Sequence, residues 1–461
     1  MYSIKEHIQK LRQMLPEGTV LDGHEDLLGY SYDSQMIEAM PDVVCLPQTT
    51  EQVSAVMAYC YQNEIPVTPR GAASGATGGA VPVRGGLVMS MQRMNAIEEI
   101  DTQNFVATVQ PGVFTADLHK AVEAHGLFYP PDPASMAFSS IGGNIAENAG
   151  GMRAVKYGVT AAYVMGLEVV LPDGSIIKTG SKCIKDVVGF NMTPLFLGSE
   201  GMLGIITKAF LRLVPLQRHK KVCRVAFHSL ADTVKTVTNV LQAGIIPLTL
   251  EFMDTLAIRA VEEYMQLGLP RDAGGMLLIE VEGGEQQVEE DMRRILEICG
   301  RLPLLETHIA DSAEESAQLW KARRSVPASL LRIKPRRFNE DIVVPRARIS
   351  EMSERIQRIA SKYNLLISSF GHAGDGNIHV NVLAEDTPEE LERAHMAVAE
   401  IFEAATSLEG RISGEHGIGL AKKPFLSLNI DKPTLRLMRI LKQTLDPKGL
   451  LNPGKVMPDE E

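Results

Sequence analysis

Residues 129–151, YPPDPASMAFSSIGGNIAENAGG, restrict this chain more than any other stretch. They carry Pro-Pro and Pro-Asp turns, two Gly-Gly pairs, and no Lys or Arg. Glycine lacks a Cβ and tolerates positive φ, so such a segment lets backbone N–H groups come close to a partner. A loop of this kind suits a flat or anionic ligand, most simply a cofactor.

A second glycine-rich loop, PRGAASGATGG (Pro69–Gly79), follows an expected strand at Ile65–Thr68. Consecutive unhindered N–H groups make an anion-binding concavity, here read as a pyrophosphate cradle. It is not a Walker A loop, because no Gly-Lys-Ser/Thr follows. Neither it nor Gly198–Gly204, which leads into a strand, is the G-x-G-x-x-G nucleotide fingerprint. Further small-residue turns at Gly142, Gly143, Gly150, Gly151, Gly158, Gly198, Gly201 and Gly204 suggest several loops around one extended ligand.

At 461 residues the chain is long enough for two or three domains. Its net charge of −11 excludes a basic nucleic-acid footprint. The five cysteines form no C-x-x-C pair, so neither a disulfide framework nor an iron–sulfur site is expected, and reduced thiols fit a cytoplasmic protein. The N-terminus reads as an amphipathic helix rather than a signal peptide. No apolar run reaches the roughly 18 residues a membrane span needs; peripheral membrane contact stays open.

Strands and helices alternate through the first half, including helices at Thr50–Gln62 and Thr115–His125, each opened by a Thr cap. After Pro215 the pattern suggests an antiparallel sheet with helices on one face. The expected class is α+β, with domains 1–217, 218–422 and a C-terminal segment 423–461 returning to the first.

Two stretches carry chemistry. FGHAGDGNIHVNV (Phe370–Val382) places His379 and Asn381 two apart on a strand, hence on one face, with His372 seven residues before. SGEHGIG (Ser413–Gly419) adds Glu415 and His416. Two His and one carboxylate suit a catalytic divalent ion such as Zn²⁺, Mn²⁺ or Fe²⁺. A basic run, WKARRSVPASLLRIKPRR, offers guanidinium groups that could grip a carboxylate; most are expected on a solvated helix face.

These motifs resemble the FAD-binding flavoproteins of the vanillyl-alcohol oxidase type, and within them the D-2-hydroxy-acid dehydrogenases: D-lactate dehydrogenases, the glycolate oxidase flavoprotein subunit and D-2-hydroxyglutarate dehydrogenase. The resemblance runs from about Pro41 to Val456, including the terminal LNPGKV. It implies a vanillyl-alcohol oxidase type FAD domain and a substrate cap domain. It implies that Pro69, Arg70, Gly71, Ala72, Ser74, Gly75, Thr77 and Gly78 hold the pyrophosphate of FAD. Pro131, Asp132, Ser139, Ser140, Gly142, Gly143, Asn144, Asn148, Gly150, Gly151, Tyr157 and Gly158 would flank the rest of the cofactor and its ring. Gly201, Gly204, Ile205 and Ile206 would lie on the adenosine side, with Glu415 and Asn452 also near FAD. The first loop has no His, so the FAD is expected to be non-covalent. His372, His379 and Glu415 are implied as metal ligands, His416 as catalytic base, Asn381 as a substrate contact and Arg323 as the substrate-carboxylate anchor. Hydroxyglutarate-specific relatives carry a Thr and a Lys where Pro327 and Asn339 stand here, which favours a small monocarboxylic acid.

The resulting expectation is FAD- and metal-dependent oxidation of a D-2-hydroxy acid, D-lactate first and glycolate second. Electrons would pass to a protein acceptor such as electron-transfer flavoprotein or an iron–sulfur subunit. Readings from other classes are an FAD electron-transfer subunit without chemistry and a nucleotide-binding metallohydrolase.

Overall fold

The computed structural model describes residues 4–34 and 37–459. The chain forms two compact units. The first takes the chain to Gly150, then Val159–Leu216, then the chain from Glu415; the second takes Gly151–Gly158 and Gln217–Gly414. Residues 415–422, assigned from the sequence to the cap, therefore pack with the first unit. Residues 151–158, assigned to the FAD domain, pack with the second.

In chain order the first unit contains strands β1 (Val20–Leu21), β2 (Val43–Cys45), β3 (Val67–Arg70), β4 (Leu87–Ser90), β5 (Ile97–Asp101), β6 (Val106–Val109), β7 (Leu127–Phe128), β8 (Val164–Val170), β9 (Ile176–Gly180), β10 (Ile205–Arg212) and β11 (Val214–Pro215). One sheet has the order β1-β2-β4-β3, with β2, β4 and β3 parallel. Another, antiparallel throughout, has the order β5-β6-β10-β8-β9. The helix Thr50–Gln62 starts where Thr49 accepts a hydrogen bond from Gln52 N, and it buries Val53, Val56, Met57 and Cys60 against the first sheet. The helix Thr115–Glu123 has no side-chain cap of its own. The Thr115 hydroxyl, expected to cap it, instead meets Ser139 and receives the Asn144 amide, because the neighbouring loop supplies stronger partners.

The second unit is built on one antiparallel sheet of β12 (His219–Phe227), β13 (Thr249–Asp254), β14 (Gly275–Gly283), β15 (Leu304–Ile309), β16 (Arg336–Val343), β17 (Leu366–His372) and β18 (Asn377–Ala384), in the order β15-β12-β14-β13-β17-β18-β16. Side chains alternate between faces along each strand. One face carries Cys223, Val225, Leu250, Phe252, Leu277, Ile279, Ile342, Ile378, Val380 and Val382, all buried. Helices Leu230–Gln242, Glu285–Cys299, Ile349–Tyr363 and Pro388–Ser407 pack on these strands and on one another. The expectation of helices on one face only is incomplete. Helices Thr255–Met265 and Ala313–Leu330 pack together over the other face, where Ala257, Val261, Ala322 and Val326 meet Met253, Met276 and Phe370.

Candidate functional site

The second face of that sheet carries a buried polar cluster beside the apolar patch under those two helices. Strand register brings its groups together. Glu251 on β13 lies directly across from His372 on β17, and Phe370 lies across from His379 on β18. Asn381 pairs with Asn339 on β16, and His379 with Asp341. His372 thus closes strand β17, and His379 lies two residues inside β18.

The two imidazoles stand nearly perpendicular, with Nε2 of His379 3.3 Å from Nε2 of His372. On its other side, His372 Nδ1 lies 2.6 Å from Glu251 Oε1. Glu251 Oε2 accepts from Arg323 Nε at 2.9 Å and Nη2 at 2.7 Å. The Arg323 guanidinium lies over the Phe370 ring, 4.7 Å from its centre. Arg323 is buried, whereas Arg324, Arg332 and Arg336 of the same basic run are exposed. The wholly buried Asn381 accepts from Arg337 Nη1 at 3.0 Å and donates to the His379 carbonyl at 3.2 Å. Burial lowers the pKa of Arg337. Gly414, the last residue of this unit, donates its N–H to Asp341 Oδ2 at 2.9 Å, and Glu415 follows it in the chain.

The residues fit a cation. Two nitrogens bound at about 2.0–2.1 Å to one ion stand roughly 2.8–3.4 Å apart for octahedral to tetrahedral angles, and 3.3 Å is the spacing here. The 151–158 segment joins this unit through Tyr157, whose hydroxyl donates to Glu282, and Lys156, 3.2 Å from the same carboxylate. Tyr157 was expected to line the cofactor; here its hydroxyl is committed to β14.

The first unit gathers the glycine-rich loops. The carbonyls of Gly75, Thr77 and Gly79 accept from Ser34 N, Leu420 N and Asn452 Nδ2. Gly78 N donates to Asp33 at 2.7 Å, and buried Arg70 holds the carbonyls of Gly29 and Ala80. Burial lowers the Arg70 pKa, opposed by the charge of Asp33. A Cβ on Gly71 would come within 2.4 Å of Ser140 Oγ, which accepts from Ala72 N and Gly143 N. A Cβ on Gly142 would strike Pro111 at 2.6 Å, and one on Gly201 would strike Pro69 at 2.7 Å. A side chain at any of these glycines would clash with a neighbouring segment, and such close approach suits a dinucleotide cradle.

Several expected cofactor residues have structural duties there. Ser139 meets Thr115, and Pro131 O receives His119 Nε2 at 2.9 Å; Asp132 is buried beside it. Asn144 donates to Thr115 at 2.7 Å. Asn148 adopts the left-handed conformation that ends its helix, and accepts from Ala161 N. Ile205 and Ile206 pair with β8. Asn452 donates to Glu200 O at 2.7 Å and accepts from Lys455, whose pKa burial lowers to about 7. Glu200 itself accepts from Ile418 N and Gly419 N. In the same segment His416 Nε2 lies 3.8 Å from Glu415 Oε1, and a Cβ on Gly150 would sit 3.1 Å from Glu415 Oε2. Glu251, Arg337 and Glu200 were not singled out in the sequence. Glu251 had one signal: a carboxylate in the middle of TLEFMD, a strand otherwise fit for burial, where an acid needs partners.

Residues 41–180 match the FAD binding domain family, and residues 216–456 match the C-terminal domain of FAD linked oxidases. The chain is 46% identical over 437 residues to the glycolate oxidase subunit GlcD of Bacillus subtilis, covering 94% of this chain and 93% of that one. It is 35% identical to the D-lactate dehydrogenase of Anaerostipes hadrus, covering 98% and 97%. The structure of p-cresol methylhydroxylase with substrate bound aligns with TM-score 0.82 at 19% identity, covering 99% and 97%, which speaks for the fold alone. No helix among the described residues is long and apolar enough to cross a membrane. The chain belongs to the FAD-linked oxidases of the vanillyl-alcohol oxidase type, in their D-2-hydroxy-acid dehydrogenase branch.

Proposed function

We propose that this protein oxidises a small D-2-hydroxy acid, D-lactate by preference, with FAD as oxidant and a protein as the final electron acceptor. The observation that carries the reading is the pair of imidazole nitrogens 3.3 Å apart beside a buried arginine. Bound FAD supplies the two-electron redox chemistry. His372 and His379, with Glu415, would hold a divalent ion, whose charge lowers the pKa of a nearby hydroxyl.

The remaining steps belong to the chain. Arg323 binds the substrate carboxylate. Its Nε–Nη2 edge is taken by Glu251, so the Nη1–Nη2 edge serves the substrate. Asn381 uses one amide proton and one oxygen lone pair internally, which leaves one of each for the substrate. His416 takes the hydroxyl proton; an imidazole works near neutral pH. The glycine contacts of loop 71–79 support its role as pyrophosphate cradle, with FAD held without a covalent link. We place the protein in the cytoplasm, in keeping with five free cysteines.

A second reading is a glycolate oxidase subunit, favoured by the name of the 46% identical relative. Anaerobic addition of D-lactate, glycolate and L-lactate to the purified yellow protein separates these. D-lactate should bleach the flavin fastest, and a chelator should abolish the effect. Faster bleaching by glycolate establishes the second reading; no bleaching by any 2-hydroxy acid overturns both.

A further inference from the structure

Glu251 is the most consequential residue of this face with no role so far. It is 1% exposed, in the middle of β13, and its two oxygens go to two different partners. Oε1 meets His372 Nδ1 at 2.6 Å, and Oε2 meets Arg323 Nε and Nη2 at 2.9 and 2.7 Å. Register puts it there: Glu251 and His372 are cross-strand partners, so the contact is set by the sheet rather than by a mobile loop.

We propose that Glu251 is the positioning residue of the site, fixing both the cation ligand His372 and the anion anchor Arg323. The inference rests on the reading that the histidine pair holds a divalent ion. A carboxylate accepts hydrogen bonds and cannot donate them. With Glu251 at Nδ1, His372 carries its proton there and turns an unprotonated Nε2 toward His379. A carboxylate behind a ligating imidazole also raises its basicity and fixes its ring. The second oxygen holds Arg323 side-on, which leaves its end-on edge free and keeps the guanidinium over Phe370. One buried carboxylate thereby locks the place for a cation and the place for an anionic substrate into one arrangement.

A purely structural role is the competing account: Glu251 would only neutralise a buried arginine. Glu251→Gln separates the two. Its amide oxygen can still serve Arg323, which offers only donors. Its NH₂ then faces His372 Nδ1, which must become an acceptor. The proton moves to Nε2, where it blocks the lone pair a metal needs.

Co²⁺ is titrated into metal-free wild type, Glu251→Gln and His372→Asn in competition with a chromophoric chelator, and the melting temperature of each metal-free protein is recorded. The expected result is a 10- to 100-fold loss of Co²⁺ affinity in Glu251→Gln, with metal-free melting and flavin absorbance close to wild type. If wild type holds no Co²⁺, the metal reading itself fails. If wild type and Glu251→Gln bind Co²⁺ equally while His372→Asn does not, that reading stands and this inference is overturned. If Glu251→Gln is insoluble, metal-free wild type labelled with ¹⁵N-histidine decides, using His372→Asn for assignment. A proton on Nδ1 of His372 supports the proposal, and one on Nε2 overturns it.

Discussion

The two faces of the seven-stranded sheet are both buried at its centre, but one is apolar there and the other carries a polar cluster. On one, Leu250, Phe252, Ile279, Val380 and Val382 meet four helices, and burial of apolar area is itself the driving force. On the other, Glu251, His372, His379, Asn381 and Arg323 are as deeply buried, and burial is a cost that only mutual pairing offsets. The strands alternate between the two, so β13, β17 and β18 present apolar residues to one face and the polar cluster to the other. The apolar face can be trimmed at a cost in stability alone. The polar face holds a network in which each member fixes the next.

This contrast can be broken in several ways. His379→Asn should lower kcat/KM by about 10³-fold or more, through loss of the metal's several kcal/mol, while flavin absorbance and melting stay near wild type. Retained turnover and retained metal would remove the polar face from the chemistry. Leu250→Ala should do the reverse. It costs about 2–5 kcal/mol of stability, read as a lower melting temperature, with Co²⁺ affinity unchanged within about twofold. An equal loss of metal affinity would mean the two faces are not separable.

A third test uses a buried acid outside the polar cluster. Asp254 ends β13 and caps the helix Thr255–Met265, and burial pushes its carboxyl up to about 6, against hydrogen bonds from Ala257 N, Ser369 N and the Ser368 hydroxyl. The folded state therefore keeps a proton that the unfolded state, near 3.8, releases. The contribution of Asp254 to stability is greatest below about pH 4 and falls by about 3 kcal/mol as pH rises to about 6. Asp254→Asn should gain melting temperature relative to wild type across that interval; a constant difference from pH 4 to 7 would disprove it. The smallest effect is expected at the rim. Lys221 and Glu289 form a half-exposed pair, and Lys221→Ala should change stability by less than about 1 kcal/mol and activity not at all.

Much of this was legible in the order of residues. H-x6-H followed by G-E-H-G, the Gly-Gly pairs and PRGAASGATGG carry the family on their own. Spacing two apart put His379 and Asn381 on one face. Arg323 was separable from its neighbours by the family resemblance, and it is buried where Arg324, Arg332 and Arg336 are exposed. Less legible were partners made by register. Nothing local in TLEFMD says that Glu251 will face His372, because the two are 121 positions apart. Asn144 and Asn148 looked like ligand contacts by type, but one bonds Thr115 and the other ends a helix, uses that amide side chains serve equally well. The cap at Thr115 failed for a related reason, since a hydroxyl takes the best partner that the folded chain brings to it.

What the order of residues determined is the chemistry available: glycines where backbones must touch, and imidazole, carboxylate and guanidinium groups in a chain otherwise built for burial. Local spacing is enough for that, since side-chain type and backbone freedom are properties of each residue. Which carboxylate stands behind which imidazole, and which edge of Arg323 stays free, was decided by strand register and by packing across long separations. Such pairings exist only once the sheet has closed and water has left it.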